Sequence, residues 1–149
     1  MNPNNYASLE ASQRLVEAGV MLETDFYWYV YNEDMCRSLI AADKAIPAPY
    51  LVNRASVRTR IGSIPTAYVP APSMAEVWRE LPESIKVRDR DYSLEVGKTQ
   101  QGGAYAGYIW EEDEYYEHYE HELQIVIDDN PTDALIALLI WVRKEANHE

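Results

Sequence analysis

The sequence predicts an α+β fold: a mainly antiparallel sheet of four to six strands with an N-terminal helix, a middle capped helix and a C-terminal helix packed on it. Three observations predict this. Apolar residues recur at helical spacing near both ends of the chain, over Leu9–Val16 and Leu135–Val142. Several segments between them alternate apolar and polar residues with period two, the pattern of half-buried strands. The connections between neighbouring strands are short and carry turn residues, so those strands pair as hairpins.

The elements follow in order. Ser8–Ala18 reads as a helix, with Leu9, Ala11, Leu15, Val16 and Ala18 at helical spacing and Gly19 as its stop. Thr24–Tyr31 alternates as a strand, with Phe26, Trp28 and Val30 on an inner face and Tyr27, Tyr29 and Tyr31 on an outer one. A tyrosine row of this kind is more often covered by a helix or a neighbouring strand than left open as a stacking platform. Met35–Ala42 is read as a second strand. Residues 44–72 form an irregular, Pro-rich basic segment holding five of the eight prolines, Lys44, Arg54, Arg58 and Arg60, and no acid. Within it Val57 and Ile61 suit a short edge strand, where proline is tolerated.

Ser73-Met-Ala-Glu76 is a capping box, in which the serine hydroxyl and the Glu76 carboxylate each accept from a free backbone N–H. Val77, Trp78 and Leu81 continue that helix and Pro82 ends it. Ile85–Val87, Asp91–Lys98 and Ala104–Trp110 are strands, the last two joined at Gln101-Gly102-Gly103. Leu123–Ile127 is an inner strand. The C-terminal helix opens on Asn130 as cap, Pro131 at its first position and Asp133 near the positive dipole end. Its stripe is Leu135, Leu138, Leu139 and Val142, and Arg143 and Lys144 lie in the last turn.

The 149 residues suit one domain spanning 1–149. Twelve tyrosines and four tryptophans argue against disorder, since disordered chains lack apolar surface to offset ordering entropy. Cys36 is the only cysteine, which excludes a disulfide framework and a cysteine zinc site and suits a small buried apolar residue. The first residues have no basic or apolar run, and the longest apolar run, Ala134–Val142, is nine residues. A cytoplasmic protein that does not engage membranes is expected.

Charge is the most informative feature for function. Between Thr99 and Val142 there is no Lys or Arg in 44 residues, yet there are ten carboxylates, which hold −10 of the net −12. Seven of them are Glu111, Glu112, Asp113, Glu114, Glu117, Glu120 and Glu122, interleaved with Tyr115, Tyr116 and Tyr119. Such a field repels nucleic acid and acidic lipid and attracts basic surfaces. The expected partner is a basic protein surface, with the run from Glu111 to Glu120 as the contact. The bland alternative is a charged surface that gives solubility.

No phosphate-cradling glycine loop and no nucleophile elbow occurs, so no cofactor and no catalytic residue is assigned. The one metal-like cluster is Glu117-His-Tyr-Glu-His-Glu122. On a helix His118 and His121 share a face; on a strand they point to opposite faces. Neither version closes a ligand set by itself. An enzyme using His118, His121 and neighbouring acids is the alternative to a protein-binding role. The net +4 of residues 44–72 is a weak nucleic-acid signal against the whole-chain charge.

Three blocks resemble a group of small uncharacterised proteins of phages, prophages and mobile elements of gut bacteria. The first is Leu9-Glu-Ala-Ser-Gln-Arg-Leu15, Gly19 and Leu22-Glu-Thr-Asp-Phe-Tyr-Trp28. The second is Pro72-Ser-Met-Ala-Glu-Val-Trp-Arg-Glu-Leu-Pro82, and the third is Asp133-Ala-Leu-Ile-Ala-Leu-Leu-Ile-Trp141. That group has no assigned activity or catalytic residue, so the resemblance implies none. Its setting is that of an accessory protein of phage or mobile-element type; combined with the acidic run, the sharpest expectation is a DNA-mimic inhibitor of a basic host protein.

Overall fold

The computed structural model describes residues 5–55, 68–114 and 117–146, of which 113, 114, 117–119 and 146 by backbone alone. Among these, four helices and seven strands follow in the order α1 (Leu9–Glu17), β1 (Phe26–Tyr29), α2 (Glu33–Ala41), β2 (Tyr50–Asn53), β3 (Tyr68–Pro70), α3 (Met74–Glu80), β4 (Ser84–Val87), β5 (Arg90–Lys98), β6 (Ala104–Glu114), β7 (Glu117–Asp128) and α4 (Pro131–Ala146). The class is α+β with antiparallel strands. The strands divide over two sheets, ordered β2-β1-β3 and β4-β5-β6-β7.

The caps read from the sequence form. Ser73 Oγ accepts from the Glu76 N–H at 3.2 Å, and Glu76 Oε1 accepts from the Ser73 N–H at 2.8 Å. Asn130 Oδ1 accepts from the Thr132 N–H at 2.9 Å at the start of α4. Gly19 takes φ +75, and the Gly19 and Val20 N–H groups donate to Val16 O and Leu15 O, which closes α1 in a Schellman motif. The cap residues of α4 also hold the chain entering α1. The Ser8 N–H donates to Asp133 Oδ1 at 2.8 Å, and Asn130 Nδ2 donates to Tyr6 O at 3.2 Å.

One cluster of buried side chains joins these elements. It takes Ala11 and Leu15 from α1, Val77 from α3, Ala106 and Tyr108 from β6, and Ala134, Leu135, Ile136, Leu138 and Leu139 from α4. The large sheet lies against α4 through Tyr108, whose ring centroid is 6.5 Å from that of Trp141. The small sheet turns Phe26 and Trp28 inward: Phe26 meets Tyr6, and Trp28 Nε1 donates to Ala7 O at 2.9 Å.

Three readings of the sequence need correction. Leu123–Ile127 is not an inner strand but part of β7, at an edge of the large sheet among the described residues, with Ile127 exposed. Met35–Ala42 is helix, not strand. Asn32 Oδ1 accepts from the Met35 N–H at 2.8 Å and Glu33 and Asp34 occupy the first turn, so the caps and dipole favour a helix. Cys36 lies half-buried on it, its thiol donating to Tyr31 O at 3.6 Å. The segment 44–72 is not irregular throughout, since β2 and β3 flank β1, with Pro70 on the edge strand β3 where no ladder donor is needed. Val57 and Ile61 lie outside the described residues. In the outer tyrosine row Tyr29 is buried beside tyrosines of the two neighbouring strands, as expected of a covered row. Its ring lies 5.3 Å from Tyr50, 5.3 Å from Tyr68 and 5.1 Å from Tyr31.

Candidate functional site

The acidic run is the outer half of a long β-hairpin. β6 and β7 pair from Ala104↔Asp128 to Glu114↔Glu117. The register shifts once: Tyr108 faces Gln124 and Ile109 faces Glu122, leaving Leu123 as the extra residue of a bulge. On the inner side of the bulge Ala104, Ala106 and Tyr108 are buried. The Tyr108 hydroxyl donates to Pro82 O at 2.8 Å, and burial pushes its pKa from 10.0 up to about 12. On the outer side Ile109 is buried, and none of the other described side chains, Trp110–Glu112 and Glu120–Glu122, joins the core cluster.

Strand alternation sorts the outer half into two faces. One continues the core face. Trp110 pairs directly with His121, their rings 4.8 Å apart, and the Arg90 guanidinium carbon lies 4.5 Å over the Trp110 ring. His121 Nε2 is 3.4 Å from Glu112 Oε2. Cation–π and ring contacts hold this column, with Glu112 beside His121.

The other face is acidic. Glu111 is directly opposite Glu120, and Ile109 is opposite Glu122. On the adjoining strand Ser93 is opposite Ile109, while Tyr92, Leu94 and Val96 pack against the core. Alternation therefore turns Asp91, Ser93 and Glu95 outward, beside Glu111. A shallow groove of about 380 Å³ runs here, lined by Asp91, Ser93, Glu95, Ile109 and Glu111 among others. Tyr105 lies on the same face, directly opposite Gly97. Its ring lies flat over Gly97, where a Cβ would sit 2.6 Å from Cε1, so only glycine admits the ring. Desolvation raises the Tyr105 pKa first, and the fields of Glu95 and Glu120 raise it further. Five described carboxylates thus share one face: Asp91, Glu95, Glu111, Glu120 and Glu122. Glu111 and Glu120, directly opposite each other, repel, whereas Asp91 is directly opposite Lys86, a favourable pair.

The contact residues expected from the sequence are distributed as follows. Glu111 and Glu120 lie on the acidic face and Glu112 lies on the other. Asp113, Glu114, Glu117 and Tyr119 are placed by backbone on the ribbon, and Tyr115 and Tyr116 lie outside the described residues. The helical version of the His118/His121 cluster is overturned, because both lie in β7. The His121 side chain meets Trp110 and Glu112. Among the described residues no three His, Cys, Asp or Glu side chains are grouped to hold a metal.

Asp91, Glu95 and Tyr105 escape a reading that follows the acidic run along the chain. The signal was present in the alternation of Asp91, Ser93 and Glu95 with Tyr92, Leu94 and Val96, which marks a polar outer face. No protein-family model, curated protein or solved structure matches the chain. The functional reading therefore rests on the site.

Proposed function

We propose that this chain is a non-enzymatic accessory protein that acts by contact with a basic protein surface, through the acidic face of the β6–β7 ribbon. The observation that carries the proposal is the gathering of Asp91, Glu95, Glu111, Glu120 and Glu122 on one sheet face, from two separate stretches of sequence. The ribbon is held by its ladder and by the Arg90–Trp110–His121 column. A rigid array of like charge loses little freedom on binding and steers an oppositely charged partner toward it. A DNA-mimic inhibitor of a basic host protein is the sharpest form of this reading, in a cytoplasmic setting of the phage or mobile-element kind that the three sequence blocks suggest. No described helix is long and apolar enough to cross a membrane.

The test is retention of bacterial-extract proteins on the immobilised chain, compared with a fourfold variant carrying Glu95→Gln, Glu111→Gln, Glu120→Gln and Glu122→Gln. The expected result is a basic protein held in stoichiometric amount by the parent and lost by the variant. Equal retention of the same protein by both would overturn the proposal.

A further inference from the structure

The two edges of the large sheet differ. β4, at one edge, is four residues long and carries Lys86. Natural sheets protect their edges in this way, with a short charged strand. β7, at the other edge, is twelve residues long and pairs only with β6 among the described residues. Its bulge at Leu123 divides it, and the acidic part from Glu117 to Glu122 is a regular run of about 20 Å. Every second backbone N–H and C=O of a strand in such a position points away from its one partner.

Charge decides what such an edge accepts. Antiparallel pairing of β7 with β7 of a second copy brings carboxylates against carboxylates, which repel across a strand pair. A neutral strand finds no attraction there. A strand with lysine or arginine at alternate positions lays its cations beside Glu120 and Glu122 while its backbone extends the ladder. Its other face then lies beside His121. We infer that the partner supplies an extended basic segment that adds as a fifth strand at the Glu117–Glu122 edge of β7. This rests on the acidic-ribbon reading and specifies its geometry: backbone hydrogen bonds give the affinity and the carboxylates select the sequence.

The test uses the whole chain and three labelled synthetic peptides of equal charge. One alternates lysine with threonine or valine. The second is the same peptide with its central backbone amides N-methylated, which blocks pairing on both edges. The third carries the same lysines on a helix locked by a side-chain staple. Affinities are measured by fluorescence anisotropy at low salt, and amide hydrogen exchange is followed on the protein. The expected result is binding of the first peptide with slowed exchange in Glu117–Glu122, and about tenfold or weaker binding of the other two, since several ladder bonds are lost. Equal binding of all three would overturn the strand-addition geometry and leave the acidic-ribbon reading standing. Absence of binding by all three would also overturn strand addition, and the fourfold variant above then decides the ribbon reading separately.

Discussion

The two halves of the β6–β7 hairpin share one backbone ladder and differ in what their side chains do. Inside the Leu123 bulge, Ala106 and Tyr108 are fully buried against the helices, and Gly107 admits Ile125 across the strand pair. Outside it, Glu111 faces Glu120 across the ladder, and beyond the buried Ile109 no described side chain joins the core cluster. Burial of apolar surface stabilises the inner half. The outer half has a ladder, one aromatic column and mutual repulsion. The outer half concentrates charge while adding little to the core cluster, and the proposed contact role gives that charge a use.

The largest effect that sharpens this contrast is expected at the support of the inner half. Leu138→Ala removes a fully buried side chain from α4 and should cost roughly 2–5 kcal/mol in urea unfolding. A cost under about 0.5 kcal/mol would show that α4 does not hold the sheet. Tyr108→Phe should cost about 0.5–1.5 kcal/mol, because it removes a part-buried hydrogen bond to the Pro82 carbonyl. The same residue sets a pH window. Its pKa is raised on folding, so its stabilising contribution is complete below the unfolded value of 10.0 and is lost as pH rises through about 12. Parent stability should fall across that window, and the phenylalanine variant should show a shallower fall. Equal slopes would remove Tyr108 from the alkaline transition.

In the outer half the effects should be smaller. Trp110→Ala removes the ring between Arg90 and His121 and should cost about 1–2 kcal/mol, with loss of hydrogen-exchange protection confined to residues beyond the bulge. Loss of protection throughout the sheet would show that the two halves unfold as one. The fourfold glutamine variant should change stability by less than about 0.5 kcal/mol, and in the stabilising direction at low salt, since Glu111 and Glu120 no longer repel. A clear destabilisation would make the acidic face structural.

Local chemistry was the legible part. The Ser73–Glu76 box, the Asn130-Pro131 start and the Gly19 stop each act within a few residues, and all three formed as read. The α4 stripe was legible because its four apolar positions repeat over two turns. Helix α2 was not, because its half-buried set of Met35, Cys36 and Leu39 is too short to separate period two from helical spacing; only the Asn32 cap distinguishes them. β2 and β3 were hidden among prolines because edge strands keep little pattern of their own and depend on β1 for a partner. The site was half legible. The acidic run is visible along the chain, but which carboxylates share a face depends on the Leu123 bulge and on the β5–β6 register. Both are long-range properties that no local pattern encodes.

The most direct test is kinetic. The association rate of the retained basic protein is measured with the parent chain and with the fourfold variant, at low and at high salt. Exposed charges are screened over about 8 Å at physiological ionic strength, so steering by this face is a salt-dependent rate effect. The expected result is a parent rate that falls steeply as salt rises, and a variant rate that is slower at low salt and nearly flat. Equal rates for the two proteins at both salts would contradict a contact role for the acidic face and leave it as a device for solubility.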